Sequence, residues 1–214
     1  MNSLARTCFT FLVALAVFVP AAAASALPPG GSFTDDDGNV HEGYIEAIAA
    51  EGITSGCNPP VNDRYCPDRS VTRGEMAAFI VRAVGLTNDG GKDWFNDDDG
   101  SIFESSINRM AAAGITSGCG TNRYCPDAPV TRGQMAVFLV RAYGLSGSTS
   151  GDPFIDDNGS SYEDFIEKLA ASGITKGCNP PVNNKYCPEN PVRRDQMATF
   201  IGRASGLHAD TPPP

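Results

Sequence analysis

Histidine is nearly absent: His41 and His208 are the two in 214 residues, and they stand far apart in the chain. Two isolated imidazoles supply no repeated acid–base pair for catalysis. No glycine-rich phosphate loop and no nucleophile elbow is present either. Basic residues are outnumbered, 16 Lys and Arg against 25 Asp and Glu, for a formal net charge of −9. That balance argues against a nucleic-acid partner, whose phosphates need a surplus of cations. Long apolar runs are missing. The most apolar stretch, residues 9–19, is too short to span a bilayer comfortably. None of the cysteine pairs has the C-x-x-C spacing of a zinc site. The expectation is a non-enzymatic protein without cofactor or metal.

What the chain does have begins with an exportable leader. Arg6 precedes the apolar run, and an alanine-rich stretch ends in Ala24-Ser25-Ala26, the small-residue pattern of a secretory cleavage site. Residues 1–26 are therefore expected to be a signal peptide. Without them 25 acidic residues face 15 basic ones, a net of −10. Cys8 would leave with the leader, and six cysteines would remain in three close pairs. An even number in an exported chain reads as disulfides.

Those pairs belong to an internal repeat, which governs everything else. Phe33, Phe95 and Phe154 each open a copy, with spacings of 95 − 33 = 62 and 154 − 95 = 59. Each copy continues with an acidic cluster and glycine, a short helical stretch, Gly-Ile-Thr, Gly-Cys, a loop, Tyr-Cys-Pro, a second helical stretch and Gly-Leu. The copies are expected at 27–92, 93–151 and 152–214, the last with a short proline-rich tail. Six cysteines allow fifteen pairings. The repeat makes the local ones simplest: Cys57–Cys66, Cys119–Cys125 and Cys178–Cys187. Closing such a loop, about ten residues long, contributes roughly 2–3 kcal/mol in the chain-entropy account.

Each copy reads as helix–loop–helix. Ile45, Ile48 and Ala49 have the i, i+3, i+4 spacing of a one-sided apolar face, as do Ile107, Met110, Ala111 and Ile166, Leu169, Ala170. Asn39 with Glu42, Ser101 with Glu104 and Ser160 with Glu163 have the spacing of capping boxes at the first helix. The second helix carries Met76, Phe79 and Ile80 and their counterparts. Gly52, Gly114 and Gly173 suit a left-handed residue just past the first helix. Two short helices bury too little apolar surface alone, so the copies are expected to share one core.

The acidic clusters invite a calcium reading that their register refuses. With Gly38 at position 6 of an EF-hand loop, Phe33 takes position 1 and Tyr44 position 12, where carboxylates are needed. Turn formation and capping explain the acids better.

The motifs Phe-x-Asp, Gly-Ile-Thr-x-Gly, a Pro-Asp turn and Val-Thr-Arg-x-Glu/Gln-Met resemble those of the S-layer homology (SLH) family. They occur as Phe33/Asp35, Gly52–Gly56, Pro67-Asp68 and Val71–Met76, with repeats across residues 33–207. The resemblance implies a mainly α fold, three helix–loop–helix repeats packed as a pseudo-threefold bundle. In such a bundle one helix of each repeat lines the centre and grooves lie between repeats. It also implies a secreted protein at the cell wall or cell surface, held non-covalently to acidic, often pyruvylated, wall glycopolymers. Arg73, Arg132 and Arg194 fall on the family's groove arginine, with Glu75, Gln134 and Gln196 at the companion position. A guanidinium offers a planar fork to a carboxylate. A positive charge is also poorly placed at a helix start for any other reason. The chain departs from the family where alanine usually follows the arginine, with Gly74, Gly133 and Asp195 instead. Asp195 is placed to neutralise Arg194. Thr72 with Glu75, and Thr131 with Gln134, also read as capping boxes. Arg82, Arg141 and Arg203 suit the carbonyl end of the second helix. The competing reading is a structural, self-associating surface-layer component.

Overall fold

A computed structural model describes residues 31–148 and 151–209; the expected signal peptide lies outside them, as do the last prolines of the tail. Among the described residues six helices alternate short and long: α1 (Glu42–Ala50), α2 (Arg73–Val84), α3 (Glu104–Ala112), α4 (Arg132–Tyr143), α5 (Glu163–Ala171) and α6 (Arg194–Ala204). The fold is mainly α, as expected.

The long helices α2, α4 and α6 touch one another at the centre. The short helices pack outside them, but not on the long helix of their own copy. Helix α3 lies on α2, α5 on α4, and α1 on α6. The third contact joins the first copy to the last, so the copies form a closed ring rather than an open stack. The core is continuous through it: Ile45, Ile48, Met76, Ile80, Met110, Met135, Leu139, Leu169 and Met197 are all fully buried.

Just before each long helix, the chain passes the centre in extended form. There the Val71 amide donates to the Val192 carbonyl, Val192 to Val130, and Val130 back to Val71, each at 2.9 Å. Three valines, all fully buried, thus share a cyclic set of backbone hydrogen bonds. The same segments satisfy the first amides of the long helices, which have no intrahelical partner. The Arg73 amide donates to the Ala128 carbonyl at 2.9 Å and Gly74 to Pro126 at 2.8 Å, with equivalent bonds from Arg132, Gly133, Arg194 and Asp195 to the next loop round the ring.

The disulfides close as the repeat requires, Cys57–Cys66, Cys119–Cys125 and Cys178–Cys187, with Cα atoms 6.0–6.1 Å apart. The first aspartate of each acidic cluster secures the loop. Asp35 accepts from the Tyr65 and Cys66 amides at 2.6 and 3.0 Å, and Asp97 and Asp156 do the same in their copies. The opening phenylalanine packs on the loop tyrosine, with ring centroids 5.5–5.6 Å apart.

Helix ends follow the sequence in part. Gly52, Gly114 and Gly173 have φ of 66–71°, and the amide of the following isoleucine bonds back five residues, as Ile53 does to Ile48. That is the left-handed ending expected. The capping boxes at the short helices do not form. Those helices begin later, after His41, Phe103 and Tyr162. Asn39, Ser101 and Ser160 instead accept from the amide two residues on. Glu42, Glu104 and Glu163 reach one residue further back, to the amides of Gly38, Gly100 and Gly159. The turn of the acidic cluster wins these side chains because its own amides need acceptors. At the long helices, the Thr72–Glu75 box is complete. Thr131 caps the Gln134 amide at 3.3 Å.

Candidate functional site

Arg73, Arg132 and Arg194 occupy the first turn of the long helices and are buried, with 4, 4 and 2% of their surface exposed. What buries each of them is a tyrosine. Arg73 Nε donates to the Tyr124 carbonyl at 2.7 Å, while the Tyr124 hydroxyl donates to the Arg73 carbonyl at 2.9 Å. Arg132 and Tyr186 repeat this clasp, as do Arg194 and Tyr65. Each guanidinium also lies over the clasping tyrosine, at 4.6–4.8 Å, and over a phenylalanine of the next long helix at 5.2–5.4 Å. Burial pulls the pKa of all three below the usual arginine range. The cation–π contacts and the remaining hydrogen bonds oppose that pull.

Each arginine ends in a groove to which all three copies contribute. The groove at Arg73, about 420 Å³, is lined by Gln134, Phe138 and Arg141 of copy two and by Tyr162 and Phe165 of copy three. The groove at Arg132, about 570 Å³, has Gln196, Phe200 and Arg203 from copy three and His41 and Tyr44 from copy one. The groove at Arg194, about 390 Å³, has Glu75, Phe79 and Arg82 from copy one and Phe103 from copy two. The six residues singled out in the sequence therefore meet in pairs across copy boundaries: Arg73 with Gln134, Arg132 with Gln196, Arg194 with Glu75.

The pairs differ in what they leave unsatisfied. Arg73 Nη1 donates to Gln134 Oε1 at 3.4 Å, and Arg73 Nη2 is buried without a partner among the described residues. Arg132 Nη2 is likewise unpartnered. Arg194 is complete: Nη1 donates to Glu75 Oε1 at 3.1 Å and Nη2 to the Gly56 carbonyl at 3.3 Å. Asp195, expected to neutralise Arg194, pairs with Arg193 instead. Glu75 holds Arg69 as well as Arg194. Gln196 accepts from the Arg193 amide at 3.4 Å.

A second set of arginines lines the same grooves. Arg82, Arg141 and Arg203 stand in the last turn of their helices. Each donates through Nη1 to the isoleucine carbonyl of Gly-Ile-Thr, at 3.0–3.2 Å. From sequence alone these arginines have a helix-end role. Their place beside Arg194, Arg73 and Arg132 was hidden because it depends on which copies become neighbours. The tyrosine clasp was hidden for the same reason.

Residues 32–77 and 95–136 match the S-layer homology domain. The chain is similar to the S-layer homology family over these two segments. Similar proteins include an amylopullulanase of Thermoanaerobacterium thermosulfurigenes, 27% identical over 79% of this chain and 9% of that protein. The surface-layer 125 kDa protein of Lysinibacillus sphaericus is 24% identical over 84% of this chain and 16% of its own. The S-layer protein EA1 of Bacillus anthracis is 27% identical over 80% of this chain and 20% of its own. The chain thus spans from about a tenth to a fifth of these relatives. Like its S-layer homology relatives at the surface layer, it is an exported cell-surface protein. There three disulfides persist.

Proposed function

We propose that the chain is a non-enzymatic anchor that binds acidic, pyruvylated glycopolymers of the bacterial cell wall in its inter-repeat grooves. The observation that carries this reading is the paired arginines, Arg73 with Arg141 and Arg132 with Arg203, sunk in grooves of a net acidic protein, with Nη2 of Arg73 and of Arg132 unpartnered. A buried donor left unpaired is costly, and an incoming carboxylate supplies the missing acceptor. The aromatic walls, Phe138 with Tyr162 and Phe200 with Tyr44, suit the apolar face of a sugar ring. The relatives lend support too. A glycan-degrading enzyme and two surface-layer proteins share with this chain only a small part of their length, which fits a module for attachment rather than catalysis.

The test is co-sedimentation with purified wall. Replacing Arg73 and Arg132 by lysine keeps the charge but removes the planar fork. The double variant is expected to bind about ten- to a hundredfold more weakly. Because both arginines also clasp a tyrosine, the assay belongs well below the variant's thermal midpoint, with its fold verified by circular dichroism. Undiminished binding by the folded variant would reject the groove mechanism. Wild-type protein that ignores the wall but forms concentration-dependent oligomers in sedimentation would favour the self-associating reading.

A further inference from the structure

Five groove positions can be compared across the ring, because the copies place equivalent residues in equivalent grooves. The serine of Gly-Ile-Thr-Ser-Gly is Ser55 in the Arg194 groove and Ser117 in the Arg73 groove, but Lys176 in the Arg132 groove. The companion of the buried arginine is Glu75, Gln134 or Gln196 respectively. The aromatic residue before the short helix is Phe103 or Tyr162, but His41 in the Arg132 groove. Ala78 and Val137 correspond to Thr199, whose hydroxyl lies 2.7 Å from His41 Nδ1. Arg82, Arg141 and Arg203 are common to all three.

These substitutions grade the grooves in charge. The Arg132 groove holds Arg132, Arg203 and Lys176 and no lining carboxylate; a fourth cation, Arg193, is matched by Asp195 and Asp68. Lys176 is exposed and has no ion pair among the described residues. At the inner end Arg132, 4% exposed, keeps Nη2 without an acceptor. The Arg73 groove has two arginines and a neutral glutamine. In the Arg194 groove every nitrogen of the buried guanidinium donates to an acceptor, one of them the Glu75 carboxylate.

We propose that the grooves are specialised: the Arg132 groove is the strongest anion site of the molecule, with Lys176 at its rim and Arg132 at its floor, the Arg73 groove is a weaker one, and the Arg194 groove is closed to anions by Glu75. The inference rests on the anchoring reading for its biological ligand, though not for its chemistry. An anion entering the Arg132 groove meets a missing acceptor and two further cations. An anion entering the Arg194 groove meets a satisfied guanidinium and a like charge.

Two substitutions test this with residues the protein already uses at the same position. Lys176→Ser restores the serine of the other copies, and Glu75→Gln restores their glutamine, so both variants are expected to fold. The probes are galacturonate oligomers and inorganic phosphate, titrated into the full chain and followed by backbone amide shifts in NMR. Wild-type protein is expected to respond around Gly177 and Gln196 and not around Gly56. Lys176→Ser should weaken that response about two- to fivefold, the scale of one exposed ion pair, and flatten its salt dependence. Glu75→Gln should create a response around Gly56. A response spread equally over the three grooves, or one indifferent to Lys176→Ser, overturns the specialisation. Wall binding serves as a separate readout. If the anion response is as described but the wall is not bound, the specialisation stands and the wall reading fails. If the wall is bound and Lys176→Ser changes neither measurement, the reverse holds.

Discussion

At the scale of single residues, the second aspartate of each acidic cluster is the least expected group in the protein. Asp36, Asp98 and Asp157 are each 1% exposed, and their carboxyl oxygens accept no hydrogen bond from another residue among those described. Burial lifts Asp36 from 3.8 to about 7, with Glu46 and Glu42 adding to the rise and its own backbone amide opposing it. Burial lifts Asp98 and Asp157 to about 6, helped by Asp93 and Asp152. A carboxyl whose pKa is raised in the folded state holds its proton more tightly there than in the unfolded chain. Its cost is therefore absent below about pH 4 and grows as pH rises to about 7. Asp36→Asn is expected to raise the thermal midpoint at pH 8, by roughly 2–4 °C for each kcal/mol relieved, and to change it little at pH 4. Thermal melts of both proteins at the two pH values check this. An equal shift at both would assign the effect to packing. The sequence displayed the three acids as one soluble turn. It could not show that the second one faces inward, because nothing in Asp-Asp-Asp-Gly, or in Asp-Asp-Asn-Gly of the third copy, distinguishes it from its neighbours.

At the scale of helices, one departure from the family pattern has a steric cause. Gly74 and Gly133 stand where the family usually has alanine, and in each case the short helix of the next copy places an aromatic ring there. A Cβ on Gly74 would lie 2.5 Å from Phe103 Cδ2, and one on Gly133 would crowd Tyr162 even more closely. In the third copy Asp195 takes the position, and the residue opposite is His41 rather than a larger aromatic, with Asn39 Nδ2 donating to Asp195 Oδ2 at 3.3 Å. Glycine and large ring, or aspartate and histidine, are thus matched sets across a copy boundary. Gly133→Ala is expected to cost about 1–3 kcal/mol, as overpacking does, despite alanine's better helix propensity. Urea unfolding of the variant measures it, and a gain in stability would show that the ring moves aside freely. Helices and their glycine endings were legible from periodicity and from Gly-Ile-Thr. The start of the short helices was not, because the same side chains had nearer amides to satisfy.

Across the molecule, the helices of one copy depend on other copies for their packing. Helix α3 lies on α2 and α4 carries α5, so a fragment of residues 93–151 retains neither partner. That fragment is expected to lack a cooperative thermal transition even with Cys119–Cys125 intact, while the full chain melts in one step. Calorimetry on both decides it, and a sharp transition in the fragment would show that a copy has a core of its own. The shared core was legible in the repeat, and the threefold bundle only through the resemblance to a known family. Which helix lies on which was not, since a sequence period fixes what recurs and leaves open whether neighbours pack within a copy or across its boundary.

Solenoids built from tandem units add members freely and protect their two outermost faces with atypical terminal units. The valine ring removes both the freedom and the need. Val71, Val130 and Val192 each give one amide and one carbonyl, and each receives one of each in return. No donor or acceptor in that circuit is left over. A fourth unit would find no vacancy at the axis, and a pair would leave the circuit broken. The number three is thus set by hydrogen-bond valence at the centre of the protein, while the outward surfaces remain at liberty to diverge from one another.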